Sequence, residues 1–429
     1  NRHTRAEEDS ERSDLVRSAI VGRHAPVTSA LLVAAGINAA VATATTPLIV
    51  AIGYPARGTI ALTTSFAAVG FVFAAATAVT AQLASSGRSA IGLGAGSVGL
   101  AYVARGIGDI HLPALSWLTP FGWGIGVRAF AGERWWVIPG LVAFAAALVV
   151  CAFALSTQRD LGSGLIRARR GRPHAGPWLT SPLGLAWRLQ RASIGWWCSG
   201  LLVTGLAYGS IGKDVERLLT ENSSLADYLA QLQGVSIVDS YLATALRMLA
   251  MLAGGFAVSS ALRTRSDEAA GYAESMLAAS VGRARWTASH LIVTIAGTAA
   301  VVTAAGLGAG AGYAISIGDV QQVTPMVEAA LGTLPALLVL VGVAVVLFGW
   351  LPHAAGAAWG ALAVVVVVGV FASVLHLPRW ALRASPLESL PLMPAQPWNV
   401  VPFAVLTAIA VSLIVVGILG FTRRDLAAA

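Results

Sequence analysis

Two short stretches, each acidic, then amphipathic, then closed by Gly-Arg, carry the spacing in this chain that could do chemistry. In 4–33 the carboxylates are Glu7 and Glu8, the apolar positions Leu15, Val16 and Ile20, and the closing pair Gly22-Arg23. In 264–293 they are Asp267 and Glu268, then Met276, Leu277 and Val281, then Gly282-Arg283. The stretches align without a gap, and Thr4/Thr264, Arg5/Arg265, Glu8/Glu268, Gly22/Gly282, Arg23/Arg283 and Leu31/Leu291 are identical pairs. A short helix of this pattern lies along a surface with its apolar face inward. Its charges are then expected outward, toward a soluble partner. The chemistry is electrostatic docking rather than bond-making, and two copies predict two matched partner surfaces. The competing reading is an interfacial helix that is merely structural.

Other chemistries are poorly supplied. A phosphate-binding loop needs Gly-x-x-x-x-Gly-Lys-Ser/Thr. The sole lysine here, Lys213, is followed by Asp214, so ATP hydrolysis is expected from another polypeptide. The chain itself is expected to be no enzyme and to hold no cofactor or metal, with ATP and Mg bound by the partner. Gly94-x-Gly96-x-x-Gly99 matches a dinucleotide fingerprint, but it sits in an apolar run without a strand before it. Close helix approach through small residues is the better reading there and at Gly306, Gly308, Gly310 and Gly312. The seven histidines show no ligand spacing, and Cys151 and Cys198 fall inside apolar runs as small packing residues.

The elements that must position the repeats are membrane helices. Of the 429 residues 56% are hydrophobic and only 11% charged, with mean hydropathy +0.74, more apolar surface than a soluble core could hide. Spans of about 20 residues fall at 27–53, 58–85, 89–110, 136–157, 193–212, 239–262, 287–313, 326–350, 355–377 and 399–421. That predicts an all-α polytopic membrane protein with ten visible spans. About 80 residues precede the second repeat within its half, roughly 181–261, and include two spans. An equivalent N-terminal stretch is expected ahead of Asn1, giving twelve spans in two pseudo-symmetric six-helix halves. The halves are a first one at 1–157, lacking its two leading spans, a linker at 158–191, and a second one at 192–429. Gln158-Arg159-Asp160-Leu161 and Arg423-Arg424-Asp425-Leu426 close them in matching fashion.

The net charge of +8 could be taken for nucleic-acid binding, yet the arginines cluster in short loops between spans. With the repeats cytoplasmic, the loops inside hold 19 basic residues against 7 outside, the asymmetry of a plasma-membrane protein and not of a nucleic-acid binder. The linker is basic and rich in Gly and Pro. Its end, SPLGLAWRLQR, suits an interfacial helix ahead of the next span.

Charged groups inside spans are functional candidates by default. Arg105 and Asp109 lie four apart and can pair with each other. Arg247 has Asp239 two turns earlier, and Glu388 lies near an outer end. The segment 115–136 carries Trp117, Phe121, Trp123, Trp135 and Trp136. An aromatic belt at the headgroups is favoured for Trp135 and Trp136. For Trp117 and Trp123 a belt and an outer gate stay level. Internal ion pairs and snorkelling ends compete with a gate or substrate contact for the charged residues.

Glu268-x-x-Gly271 followed by Leu277-Ala278-Ala279-Ser280-Val281-Gly282-Arg283 resembles the cytoplasmic segment of ABC type-2 exporter permeases. The pattern RHTRAEE…VGRHAP, LSWLTPFGW…FAGERWW, RDL and SPLGLAWRLQR resembles, more narrowly, the actinobacterial polyketide-antibiotic (tetronasin-type) and multidrug exporter permeases. The resemblance covers essentially the whole chain. It implies a fused twelve-span permease served by two copies of a separate ABC ATPase. The coupling residues would be Glu7, Glu8, Leu15, Gly22, Arg23, Asp267, Glu268, Gly271, Met276, Leu277, Gly282 and Arg283, and the cargo hydrophobic small molecules such as antibiotics. The resemblance also implies extracellular gate helices above the pathway, and Arg105, Asp109, Trp117, Phe121, Trp123, Arg247 and Glu388 are the candidate pathway or outer-gate residues. Ser280 and Ile20 stand where the broader family often has proline, and Glu11 stands where the second copy has Gly271, so the two halves are expected to grip the ATPase unequally. A proton- or sodium-coupled secondary transporter also repeats six-span halves, but ionisable residues near mid-membrane are scarce here. A membrane enzyme would need clustered carboxylates or a His/Asp site, and the sequence offers neither.

Overall fold

The computed structural model describes residue 22 and residues 24–110, 113–158, 164–166, 174, 176–213, 236–279, 281–372, 378, 380, 382 and 385–424. Among these residues all regular structure is helical, so the Gly94–Gly99 motif has no strand to follow. Contacts divide the chain into two compact units, residues 1–171 and 172–429.

In the first unit α1 (Ala25–Ala51), α2 (Ala56–Leu83), α3 (Gly87–Ile110) and α6 (Val137–Thr157) are the long helices. The short helices α4 (Pro113–Trp117) and α5 (Pro120–Gly126) lie between α3 and α6. Helix α2 is central, packed against α1 and α6, with Val69 and Val72 meeting Leu141 and Ala145. Its buried hydroxyls are satisfied locally: Thr63 donates to the Thr59 carbonyl (3.0 Å) and bonds Thr46 of α1 (2.8 Å). On α1, Leu32, Ile37, Val41 and Leu48 face outward. Exposed aliphatic faces on a helix this apolar have lipid as their solvent.

The second unit opens with a 3-10 turn at Pro177–Thr180, then α7 (Pro182–Ser210), α8 (Ile237–Ala261), α9 (Arg263–Ala269), α10 (Tyr272–Leu277) and α11 (Arg283–Ile317). It closes with α12 (Val323–Gly332), α13 (Leu334–Trp350), α14 (Ala358–Phe371) and α15 (Val400–Arg423). Helix α8 is its axis, buried on most sides from Val238 to Ala261. The long α11 lies along α7 so closely that a methyl group on Gly205, Gly209, Gly308 or Gly312 would meet the facing backbone. Gly306 and Gly310, on another face of the same helix, allow the same approach to α12. Lipid tails are as apolar as leucine, so helices associate through such close van der Waals contact rather than through a hydrophobic drive. Of the glycines expected to pack helices, Gly306, Gly308, Gly310 and Gly312 do so and Gly94 meets Thr77, whereas Gly99 has no neighbour within 4 Å.

The expected spans and the observed helices differ in detail. Among the described residues eight helical stretches are long and apolar enough to cross a membrane. Helices α3 and α7, expected as two of the ten spans, are helical but not among the eight. The piece 182–191 is not a separate interfacial helix. Ser181 caps it by accepting from the Gly184 amide (3.0 Å), and no proline interrupts the run that follows, so it continues as the first turns of α7. The expected span 326–350 is two helices joined at Thr333, where Pro335 starts α13.

Candidate functional site

The second acidic repeat folds as α9 and α10, bent apart at Gly271, whose φ of 73° is the left-handed region that favours glycine. Its apolar positions behave as the spacing requires. Met276, Leu277 and Val281 pack against a buried cluster of Ala273, Trp286, Phe348 and Phe421, from α10, α11, α13 and α15.

Its charges do not all face outward. Glu268 is 5% exposed and Asp267 6%, and both are engaged inside the chain. The Arg424 guanidinium donates to both Glu268 oxygens, at 2.7 and 2.6 Å. Its central carbon lies 5.1 Å from the Phe421 ring centre and 5.2 Å from that of Phe348. Arg263 donates to Asp267 (3.0 Å), Arg265 to the Pro352 carbonyl (3.1 Å), and Arg283 to the Arg424 carbonyl. The expectation that Asp267 and Glu268 present charge to a partner is thus corrected, because an arginine from a distant helix end turns Glu268 inward. What the segment exposes instead is Tyr272, Glu274, Ser275, Ala278 and Gly282. Of the first copy, Glu7, Glu8, Leu15 and Arg23 lie outside the described residues; Gly22 is exposed just ahead of α1.

The candidate gate residues fall into two groups. In the first unit Asp109 accepts from Arg105 Nε (2.9 Å) and from the Ser116 hydroxyl of α4 (2.7 Å). Ser116 is held between Gly108 and Gly122, both closer to it than any side chain would allow. Thr119 caps α5 through the Gly122 amide (3.1 Å). The Phe121 ring lies tilted against Phe73 (4.8 Å) and Trp123 against Phe144 (5.8 Å), both packed against the α2–α6 core. Trp117 is 40% exposed and stacks flat on the exposed Trp136.

In the second unit Arg247 sits ten residues into α8, about 15 Å from its start, and does not use Asp239. It donates to Glu388 (2.8 Å) and to the Leu390 carbonyl (3.2 Å). The segment 385–397 that supplies them folds back into the bundle, burying Ser385, Leu387 and Leu390. A cavity of about 20 Å³ remains between it, Arg247, Thr333 and Phe403. Along α15 an open, mostly apolar groove of about 590 Å³ is lined by Trp398, Phe403, Thr407, Val411 and Ser412. Sequence reasoning marked neither the groove nor Phe348, Phe421 and Leu390, which read as ordinary apolar residues. The closing Arg423-Arg424 echo was the available signal for Arg424.

Long helices that interlock through glycine while turning leucine, valine and isoleucine outward define a multi-pass membrane protein. Residues 179–422 match the family described as "Multidrug efflux system permease Rv1217c, C-terminal domain". The multidrug efflux system permease protein Rv1217c of Mycobacterium tuberculosis is 38% identical over 426 residues, covering 99% of this chain and 78% of that protein. The chain belongs to the Rv1217c family of multidrug efflux permeases.

Proposed function

We propose that the chain is the membrane permease of an ATP-driven ABC type-2 exporter in the bacterial plasma membrane, expelling hydrophobic or amphipathic small molecules such as antibiotics. Two copies of a separate ATPase would dock on the cytoplasmic repeats and drive two pseudo-symmetric halves of a twelve-span bundle. The permease itself carries no ATP chemistry in this reading. One observation carries it: the 263–283 segment is clamped to the bundle on one side and leaves Tyr272, Glu274 and Ser275 exposed on the other. A segment fastened inside and open outside suits the transfer of a partner's movement. The efflux-permease name of the Mycobacterium tuberculosis relative supports the direction and the cargo class. Apolar lining such as the α15 groove fits broad rather than sharp selectivity.

The test is co-purification of the permease with the ATPase encoded beside it, followed by ATP hydrolysis with and without drug. Tyr272→Ala combined with Glu274→Lys is expected to weaken assembly and drug-stimulated hydrolysis. A permease that binds no ATPase, and whose transport collapses when the proton or sodium gradient is dissipated, is a secondary transporter instead.

A further inference from the structure

The coupling reading leaves open which contact hands motion from the segment to the bundle, and resting on that reading, we propose that Arg424 is the positioning residue that does so. Arg424 is the C-cap of α15, where the helix dipole favours a cation. Its guanidinium grips Glu268 of α9 through two parallel hydrogen bonds, and the two residues are 156 positions apart in sequence. A planar fork on a carboxylate fixes direction as well as distance, which a point charge does not. The fork is flanked by Phe348 of α13 and Phe421 of α15, whose rings stack 4.9 Å apart. Displacing α9 therefore pulls on α15 through the arginine and shears it against α13. Arg283 closes the circuit by donating from the first turn of α11 to the Arg424 carbonyl. Arg424 thus links the coupling segment with α13 and α15 through its guanidinium and with α11 through its carbonyl.

The role concerns transmission, so the readout is drug transported per ATP hydrolysed, in vesicles holding the permease with its ATPase. Glu268→Gln and Arg424→Lys each keep size and remove the two-point charged contact. Each is expected to lower transport per ATP at least about tenfold, the scale of one charge-assisted hydrogen bond, while the ATPase still co-purifies in the same ratio. The double variant is expected to be no worse than either single one, because both break one link. Leu201→Ala, a core position of α7 that touches neither the segment nor the gate candidates, is expected to lower thermal stability at least as much and to leave transport per ATP intact. Unchanged coupling in Glu268→Gln, or equal uncoupling by Leu201→Ala, overturns the proposal. Failure of the unaltered permease to co-purify an ATPase overturns the coupling reading itself, and this proposal with it.

Discussion

Two arginine–carboxylate pairs tie distant parts of the second unit together, and they are built differently. Arg424 gives both terminal nitrogens to one carboxylate, that of Glu268, between two aromatic rings. Arg247 divides its nitrogens between the Glu388 carboxylate and the Leu390 carbonyl. From Arg247 the α8 axis runs about 21 Å to Ala261, next to the start of α9, so the pairs serve separate levels of the bundle. The first joins two helices end to end. The second holds a returning loop in place, because a backbone carbonyl gives no charge but pins the chain that carries it. Similar chemistry therefore makes a rigid link in one place and an anchored loop in the other.

The largest effect should come from truncating Arg247, which sits ten residues inside the apolar α8, although Glu268 is the more buried carboxylate at 3% side-chain exposure. Arg247 and Glu388 side chains are only 15% and 18% exposed. Removing one partner leaves the other uncompensated, which costs about 3–5 kcal/mol, whereas replacing both with apolar residues is close to neutral. Arg247→Ala should thus lower the thermal unfolding midpoint in detergent far more than Arg247→Met combined with Glu388→Met. Equal losses would show that the loop, rather than the charge, sets the cost. If the loop is a gate, the double variant should also leak substrate although it stays folded, and drug retention in vesicles measures that.

Next comes Glu268→Gln, which keeps one acceptor oxygen and sits near a helix end. Losing a charge-assisted bond is expected to cost roughly 1.5–3 kcal/mol, read as a smaller shift of the same midpoint. A loss as large as that of Arg247→Ala would remove the distinction between the two sites. Gly271→Ala follows at about 1–2 kcal/mol, since no neighbour lies within 4 Å and only the positive φ opposes a side chain. A much larger loss would mean that the bend between α9 and α10 is held by more than its backbone.

How much of this was legible beforehand depends on the range of each contact. Helices follow from local runs of apolar residues, and the exposed faces and glycine contacts follow from composition, so the bundle's elements were readable. The pairing of Arg105 with Asp109 was readable for the same reason, as four residues make one helical turn. Arg247 and Glu388 each stood out as a charge among apolar neighbours, but 141 residues separate them and nothing local joins them. Asp239 was the nearer acid in sequence and the wrong one in space. Glu268 was marked by its repetition, yet its side chain turns inward because of Arg424, a residue noticed only as part of a closing echo. Phe348 and Phe421 carry no mark among so many apolar residues. Sequence gives candidates by type and period, and tertiary approach decides which of them meet.

The smallest expected effect makes the sharpest control on that distinction. Arg263 and Asp267 belong to α9 and form an i,i+4 pair at 3.0 Å, with 26% and 8% of their side chains exposed. Such a pair stabilises a helix by about 0.2–0.5 kcal/mol, because neighbours on one helix already share a geometry and no distant element is held. Arg263→Ala should therefore shift the unfolding midpoint by a fraction of the Glu268→Gln shift and leave transport per ATP unaltered. It removes a charge a few residues from Glu268 but breaks no link between helices. A fall in transport equal to that of Glu268→Gln would mean that net charge on the segment matters, and not the fork to Arg424.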